Sequence, residues 1–388
     1  MKILIVHNSY QQAGGEDRVV DLESMLLESH EGNVVRKHVI SNERISGPLE
    51  KIFAAISSLF SVKSYFMMKR LIERERPDVV HVHNTFPLLS PSVFYACRSS
   101  AVACVATLHN YRLVCPTALL MHDGVVTERS LAHGPWWAVP RRVYRESFFG
   151  TFVLSALISL HRRLGTWQRT VDSFIVLSEF SIPRFVQGGL PASKIVVKPN
   201  FTSVPKPTDA YRAGLLFVGR ISEEKGIDTL LTAVCGLPPG SLRIVGSGPL
   251  EGAVKAQPLV EFLGPLNNES VHAEMVRATC LIVPSLWYEG FPMVVVEAFA
   301  NGLPIIASRI GALGEIIEDG VTGLLFDPGD ADALSMKMAW ALNNPESMKQ
   351  MGRAARLRYE EMYTPERNLE ILMEIYKSAM EHSVELRQ

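Results

Sequence analysis

Apolar and polar positions alternate in blocks along the whole chain. KILIVHNSY (2–10), VVRKHVIS (34–41), PDVVHVHN (77–84), AVACVATLHN (101–110), VDSFIVLSEF (171–180) and KIVVKPN (194–200) are short, mostly apolar runs. Runs of this kind have the length of strands buried in a parallel sheet. Helical text such as VVDLESMLLESH stands between the first of them. After the proline-rich, polar stretch PNFTSVPKPTDAYRAG the pattern restarts at LLFVGR (215–220). It continues through SLRIVGSGP, VEFLGP, CLIVPS, PIIAS and TGLLFDP, with helices between several of them. Strand–helix alternation in both halves predicts an α/β fold of two Rossmann-like, doubly wound parallel-sheet domains. We place these at 1–203 and 204–364, with a final amphipathic helix over 365–388 that has Pro365 near its start.

A length of 388 residues exceeds one comfortable core, which agrees with two domains. Five cysteines, odd in number and without a CxxC pair, argue against a disulfide framework or a zinc site and for a reducing cytosol. MKILIVHNSY reads as a first strand rather than a signal peptide, and no run reaches the eighteen or so apolar residues of a membrane span. The expected location is the cytoplasm, free or peripheral at the inner face of the cell membrane. Charge is split: residues 1–200 carry 23 Lys+Arg against 16 Asp+Glu, a net of +7, and the remainder carries −8. Two stretches join bulky apolar residues to basic ones: IFAAISSLFSVKSYFMMKRLIERER, and HGPWWAVPRRVYR with the following FFGTFVLSALISL. Phe53, Phe60, Phe66 and Met67 would cover the core, or the stretch would touch an anionic membrane surface. For FFGTFVLSALISL, a core helix with solvated flanks and an interfacial helix are equally good readings. No basic domain or nucleic-acid motif is present, so nucleic acid is not an expected partner.

Candidate chemistry concentrates in VPSLWYEGFPMVVVEAFANGLPIIAS (283–308). Here a strand passes through an aromatic loop into a helix near Met293 and returns as a strand. Gly290 permits close approach of a ligand, and Pro292 suits a first helical turn, where no N–H is needed. The free amides of that turn form an anion seat. Glu289 stands at the junction and Glu297 eight residues on. If every step between them were helical, their α-carbons would lie about 12 Å apart along the axis. That is too far for a glycosidase acid/base pair, and two roles on one ligand fit better. Gly219-Arg220 and Lys225-Gly226 follow a strand, and their two cations suit a diphosphate. Gly14 and Gly15 sit where the first strand hands over to the first helix, either as turn residues or to admit a phosphate or sugar. His83 and His109 each close a strand, where doubly wound sheets place ligand contacts, and Gly246 belongs to a lone glycine turn.

GRISEEKG followed by EGFPMVVVE resembles the family-4 retaining glycosyltransferases of GT-B fold, and the resemblance extends over nearly the whole chain. It implies an N-terminal acceptor-binding domain, a C-terminal nucleotide-sugar-binding domain and a last helix returning to the first domain. By the resemblance, Arg220 and Lys225 hold the donor diphosphate, and Glu297 accepts from the ribose hydroxyls. Glu289 contacts the transferred sugar, helped by backbone amides around Phe291, Met293 and Val294, with Gly290 and Pro292 in the same donor-binding loop. His109 lies beside the reacting sugar, and Gly14 and Gly15 approach the donor alongside Gly219 and Gly246. The donor would be a UDP- or GDP-type sugar, the acceptor a glycan or lipid-linked saccharide. Neither cofactor nor metal is expected, since no Asp-x-Asp motif stands in a suitable loop. Two departures concern the acceptor side: HNYRLVCP lacks the cysteines that often follow it, and residues 117–170 match only loosely. The alternatives on this architecture are a sugar-nucleotide epimerase, a phosphorylase (for which no pyridoxal-phosphate lysine is evident) and a non-catalytic sugar-nucleotide-binding protein.

Overall fold

The computed structural model describes residues 1–9, 14–41, 47–204 and 212–385. Part of the first glycine loop (10–13), part of the interdomain linker (205–211) and the end of the tail lie outside the described residues. Two compact units share the chain. One contains Met1–His122, Thr127–Pro199 and Asn368–Gln388; the other contains Asp123–Val126 and Asn200–Arg367.

The first unit is built on six parallel strands: β1 (Lys2–Ser9), β2 (Val34–Ser41), β3 (Val79–Val82), β4 (Ala103–Thr107), β5 (Ser173–Val176) and β6 (Ile195–Val197). Their spatial order is β2-β1-β3-β4-β5-β6. The connection reverses between β1 and β3, and such a switch point opens a crevice beyond the carboxyl ends of the strands. Helix α1 (Gly15–Ser29) starts at that end of β1 and buries Val19, Val20, Glu23, Ser24 and Leu27. The final helix runs over Pro365–Glu385. It sets Leu372, Ile375, Tyr376 and Ala379 into one cluster with Ile3, Ile5, Val20, Val79 and Val105. The last element of the sequence therefore completes the core of the first.

The basic-aromatic stretch forms α2 (Pro48–Leu59) and α3 (Val62–Glu75). A core role for its aromatics is corrected: Phe53 is 74% and Phe66 55% exposed, and Phe60 is exposed as well. Met68, Leu71 and Ile72 are the residues that α3 buries. Within residues 117–170, α4 (Phe148–Arg163) is capped by Ser147 and packs against α2. It buries Val153, Leu154, Leu157 and Ile158, while Phe148, Phe149, Phe152 and Leu160 face outward. The helix therefore has one apolar face buried in the fold and a second apolar face exposed. Among the described residues no helix is long and apolar enough to cross a membrane.

The second unit also has six parallel strands: β7 (Leu215–Val218), β8 (Leu242–Val245), β9 (Val260–Gly264), β10 (Cys280–Val283), β11 (Ile305–Ser308) and β12 (Gly323–Phe326). Their order, β9-β8-β7-β10-β11-β12, is the dinucleotide-fold order, with its switch point between β7 and β10. All five cysteines are free.

Candidate functional site

In the second unit the motif residues gather at the switch point. Gly219 and Arg220 follow β7, and the loop from Pro284 to Pro292 follows β10. Three glycines press the intervening backbone together. A Cβ on Gly226, whose φ is +72°, would stand 1.8 Å from the Pro284 carbonyl oxygen. One on Gly246 (φ +140°) would stand 1.8 Å from the Gly219 oxygen, and one on Gly248 2.3 Å from that of Ile221. Glycine is required there for close backbone approach, so the GSGP turn has a structural reason that the sequence did not reveal.

Lys225 Nζ donates to Glu289 Oε1 at 2.6 Å, and Ser285 Oγ donates to the same oxygen at 2.7 Å. Glu289 is 4% exposed. The Lys225 ammonium also lies 5.5 Å from the centre of the Trp287 ring, a contact that sequence reasoning missed. Arg220 is exposed and has no ion pair among the described residues. Helix α5 (Met293–Ala300) starts at Met293, where the sequence places it. Pro292 is its cap residue, with an extended ψ of 127°, rather than part of the first turn. Among the described residues the amides of Met293 and Val294 have no intrahelical partner, while that of Val295 donates to the Pro292 carbonyl at 3.0 Å. Glu297 is 7% exposed on the second turn. Only the later part of the Glu289–Glu297 interval is helical. Phe291 is buried against Tyr363, and its carbonyl accepts from Asn200 Nδ2 at 2.9 Å. Its backbone rather than its ring is what the loop offers, and Asn200, unnoticed in the sequence, fixes that backbone. Gly290 and Val294 are half-buried.

In the first unit, Gly14 is the extended cap residue of α1, and its amide is taken by Asp17 Oδ2 at 2.9 Å. Gly15 is the first helical residue. Neither has a positive φ, and a Cβ on Gly14 would meet nothing within 4 Å. Among the described residues, nothing crowds a side chain at Gly14. His83 and His109 follow β3 and β4, with His83 Nδ1 3.1 Å from His109 Nε2. The two line one pocket with Asn84, Phe86, Leu108 and Arg112. Arg112 lies over the Phe86 and Tyr144 rings at 5.2 and 5.3 Å.

Beneath these histidines lies a buried polar cluster that the sequence did not reveal. Lys198 Nζ donates to Glu23 Oε1 at 2.6 Å and to Asn368 Oδ1 at 3.1 Å. His81 bonds Tyr376 Oη at 2.8 Å and Thr107 Oγ1 at 2.7 Å. Burial alone would raise the Glu23 carboxyl, but Lys198 and His83 together bring it below its ordinary value. Burial, reinforced by nearby cations, holds His81 and His83 well below the usual imidazole range and brings His109 down to about 3. All three are neutral near pH 7. Glu23, His81 and His83 bring donor atoms within 4.8 Å of one another. A metal ion does not fit, because the Lys198 ammonium already sits on the carboxylate and both nitrogens of His81 are engaged. One signal was available: Glu23 interrupts the apolar stripe of Val19, Val20 and Leu27 on α1.

Two family models match the chain. Residues 204–358 match "Glycosyl transferases group 1" and residues 27–204 match "Glycosyltransferase Family 4". An uncharacterized glycosyltransferase of Methanocaldococcus jannaschii is 28% identical over 374 residues, 91% of each chain. The O-antigen chain mannosyltransferase C of Escherichia coli is 32% identical over 176 residues, 43% of this chain and 47% of its own. Among solved structures, HepE of Anabaena in complex with UDP aligns with a TM-score of 0.69 at 17% identity, covering 97% of this chain and 100% of that one.

Proposed function

Because the chain belongs to the family-4 type of glycosyltransferases and has the GT-B fold, we propose that it moves a sugar from a nucleotide-diphosphate donor, of UDP or GDP type, to a glycan or lipid-linked acceptor. The observation that carries this reading is the switch-point constellation of the second unit: exposed Arg220, Lys225 paired to Glu289, and the free amides of α5. Breaking a sugar–phosphate bond builds negative charge on the leaving diphosphate. Fixed cations and a helix N-terminus stabilise that charge where it develops. Arg220 grips phosphate oxygens as a planar fork. Lys225 has three N–H donors, so it can keep Glu289 and still reach the diphosphate. Glu289 then accepts from a hydroxyl of the transferred sugar, and Glu297 from the ribose. With these groups answering the leaving-group charge, the transfer needs no metal. In the first unit we assign His109 to the reacting hydroxyl. Retention follows if the acceptor attacks on the face that the diphosphate leaves, with the diphosphate taking the proton.

For the acceptor, the exposed Phe53, Phe66, Phe148, Phe149 and Phe152 on α2–α4 support a lipid-linked saccharide met at an anionic membrane surface. The net charge of +7 over residues 1–200 supports the same reading. Cell-surface polysaccharide or lipopolysaccharide synthesis on the cytoplasmic side suits such an acceptor, and the O-antigen relative supports it. An epimerase or a non-catalytic binder is not favoured. The test is a thermal-shift panel of UDP-, GDP-, ADP- and TDP-sugars in EDTA. The donor that raises the midpoint is then used for transfer to lipid-linked acceptors, and the anomeric configuration of the product is read by NMR. Silence across the panel, with no transfer, would sink the reading.

A further inference from the structure

Several neutral histidines at one buried site raise the question of which nitrogen carries each proton. Among the described residues two buried atoms, Glu23 Oε2 and His83 Nε2, have no hydrogen-bond partner elsewhere and face each other at 3.5 Å. The carboxylate oxygen can only accept, so the His83 proton belongs on Nε2, pointing at Glu23. His83 Nδ1 is then the lone-pair nitrogen, and it faces His109 Nε2 at 3.1 Å. For that contact to be a hydrogen bond, His109 must hold its own proton on Nε2. The remaining nitrogen, Nδ1, becomes an acceptor. Lys198 fixes the far end by holding the other Glu23 oxygen at 2.6 Å, and is itself held by Asn368 of the last helix. His81, its ring centred 4.2 Å from that of His83 and tilted 37° to it, stays out of the relay because its two nitrogens are taken by Tyr376 and Thr107.

The geometry points to Glu23 and His83 as positioning residues: through the relay Lys198–Glu23–His83 they fix His109 as the Nε2–H tautomer, so that Nδ1 is offered to a substrate hydroxyl. His7 is a separate arm, bonded through Nε2 to Asp17 at 2.9 Å. The link to a hydroxyl rests on the transferase reading; the tautomer does not. A group in this relay moves turnover without touching substrate, as the tautomer-fixing aspartate of a catalytic triad does.

The test uses the full chain with ¹⁵N-labelled histidine and no substrate, the His109 resonances being assigned by their loss in His109→Gln. Wild type should show His109 protonated on Nε2. The double variant Glu23→Met/Lys198→Met removes both charges together at similar volume, a replacement that buried ion pairs tolerate. In it the Nδ1–H form of His109 should appear in comparable amount. Its kcat should fall by roughly tenfold to a hundredfold with donor KM within about twofold. Tyr376→Phe, which alters the same buried cluster off the relay, should leave tautomer and kcat alone. If the double variant does not fold, His83→Leu breaks the same link and should give the same tautomer mixture. An Nδ1–H form in wild type, or an unchanged tautomer in a folded variant that lacks the relay, overturns the inference. Because the tautomer is read without substrate, a failure of the transferase reading would show separately, as wild-type protein that transfers nothing.

Discussion

Lys225 and Gly226 are adjacent, yet they answer to different causes. The lysine reaches Glu289, whereas the glycine lets the loop pass within contact of Pro284. Gly226→Ala should therefore cost roughly 2–4 kcal/mol, read in urea unfolding, and a cost under about 1 kcal/mol would show that the loop has slack. Arg220→Ala should leave the unfolding midpoint unchanged, because Arg220 is exposed and has no ion pair among the described residues. It should weaken donor binding by about tenfold to a hundredfold, the worth of one charged hydrogen bond. Calorimetry of donor binding beside a thermal melt separates the two. The motif residues were legible because each group lies within one βα loop, Gly219 to Gly226 after β7 and Glu289 to Val294 after β10, even though Lys225 and Glu289 are 64 positions apart. Glu23 and Lys198 were not, since 175 positions separate them and only the folded sheet joins them. The neutral histidines over this pair set a pH response. Their folded pKa values lie below the ordinary imidazole value of 6.5, so between the two the unfolded chain binds more protons. Stability is full above pH 6.5 and declines as pH falls below it. Lowered Glu23 acts in the same direction at more acid pH. Urea midpoints at pH 7.5 and 5 should differ accordingly, and equal midpoints would mean that these imidazoles are not held neutral.

At the scale of elements, the apolar runs marked every strand of both sheets: the central strands are covered on two faces and must be apolar nearly throughout, while the edge strand β2 buries only Val35. The order of strands was not legible. The same run pattern serves the flavodoxin-like order of one sheet and the dinucleotide order of the other. Helices α2–α4 were ambiguous for another reason. A stripe of phenylalanines reads alike whether it meets a core or faces outward, and the structure leaves Phe53, Phe66 and Phe149 facing outward. The last helix was easier to recognise than to weigh. Its Leu372 is fully buried among residues of β1 and β3. Leu372→Ala should cost about 2–5 kcal/mol, and a loss like that of a surface site in chemical unfolding would mean that the helix packs only loosely.

For the molecule as a whole, the charge split visible in the sequence acquires a place. The positive half carries the exposed aromatic helices, and the negative half carries Arg220, Lys225, Glu289 and Glu297. We expect binding to vesicles containing phosphatidylglycerol at low salt, weakening as salt screens the contact, and lost on Phe53→Ser/Phe149→Ser. Sedimentation that ignores both lipid charge and these substitutions would count against a membrane-borne acceptor. A different consequence follows from the helix that closes the first unit. During synthesis β6 emerges well before Asn368, with the whole second sheet still to be made. At ordinary elongation rates that gap is roughly 10–30 s. Throughout it the nascent first unit lacks Leu372, Ile375 and Tyr376, and its Lys198 waits without Asn368. Vectorial folding therefore finishes the chain's beginning last, and the ribosome-bound intermediate is the species in which a chaperone would find this protein's apolar interior uncovered.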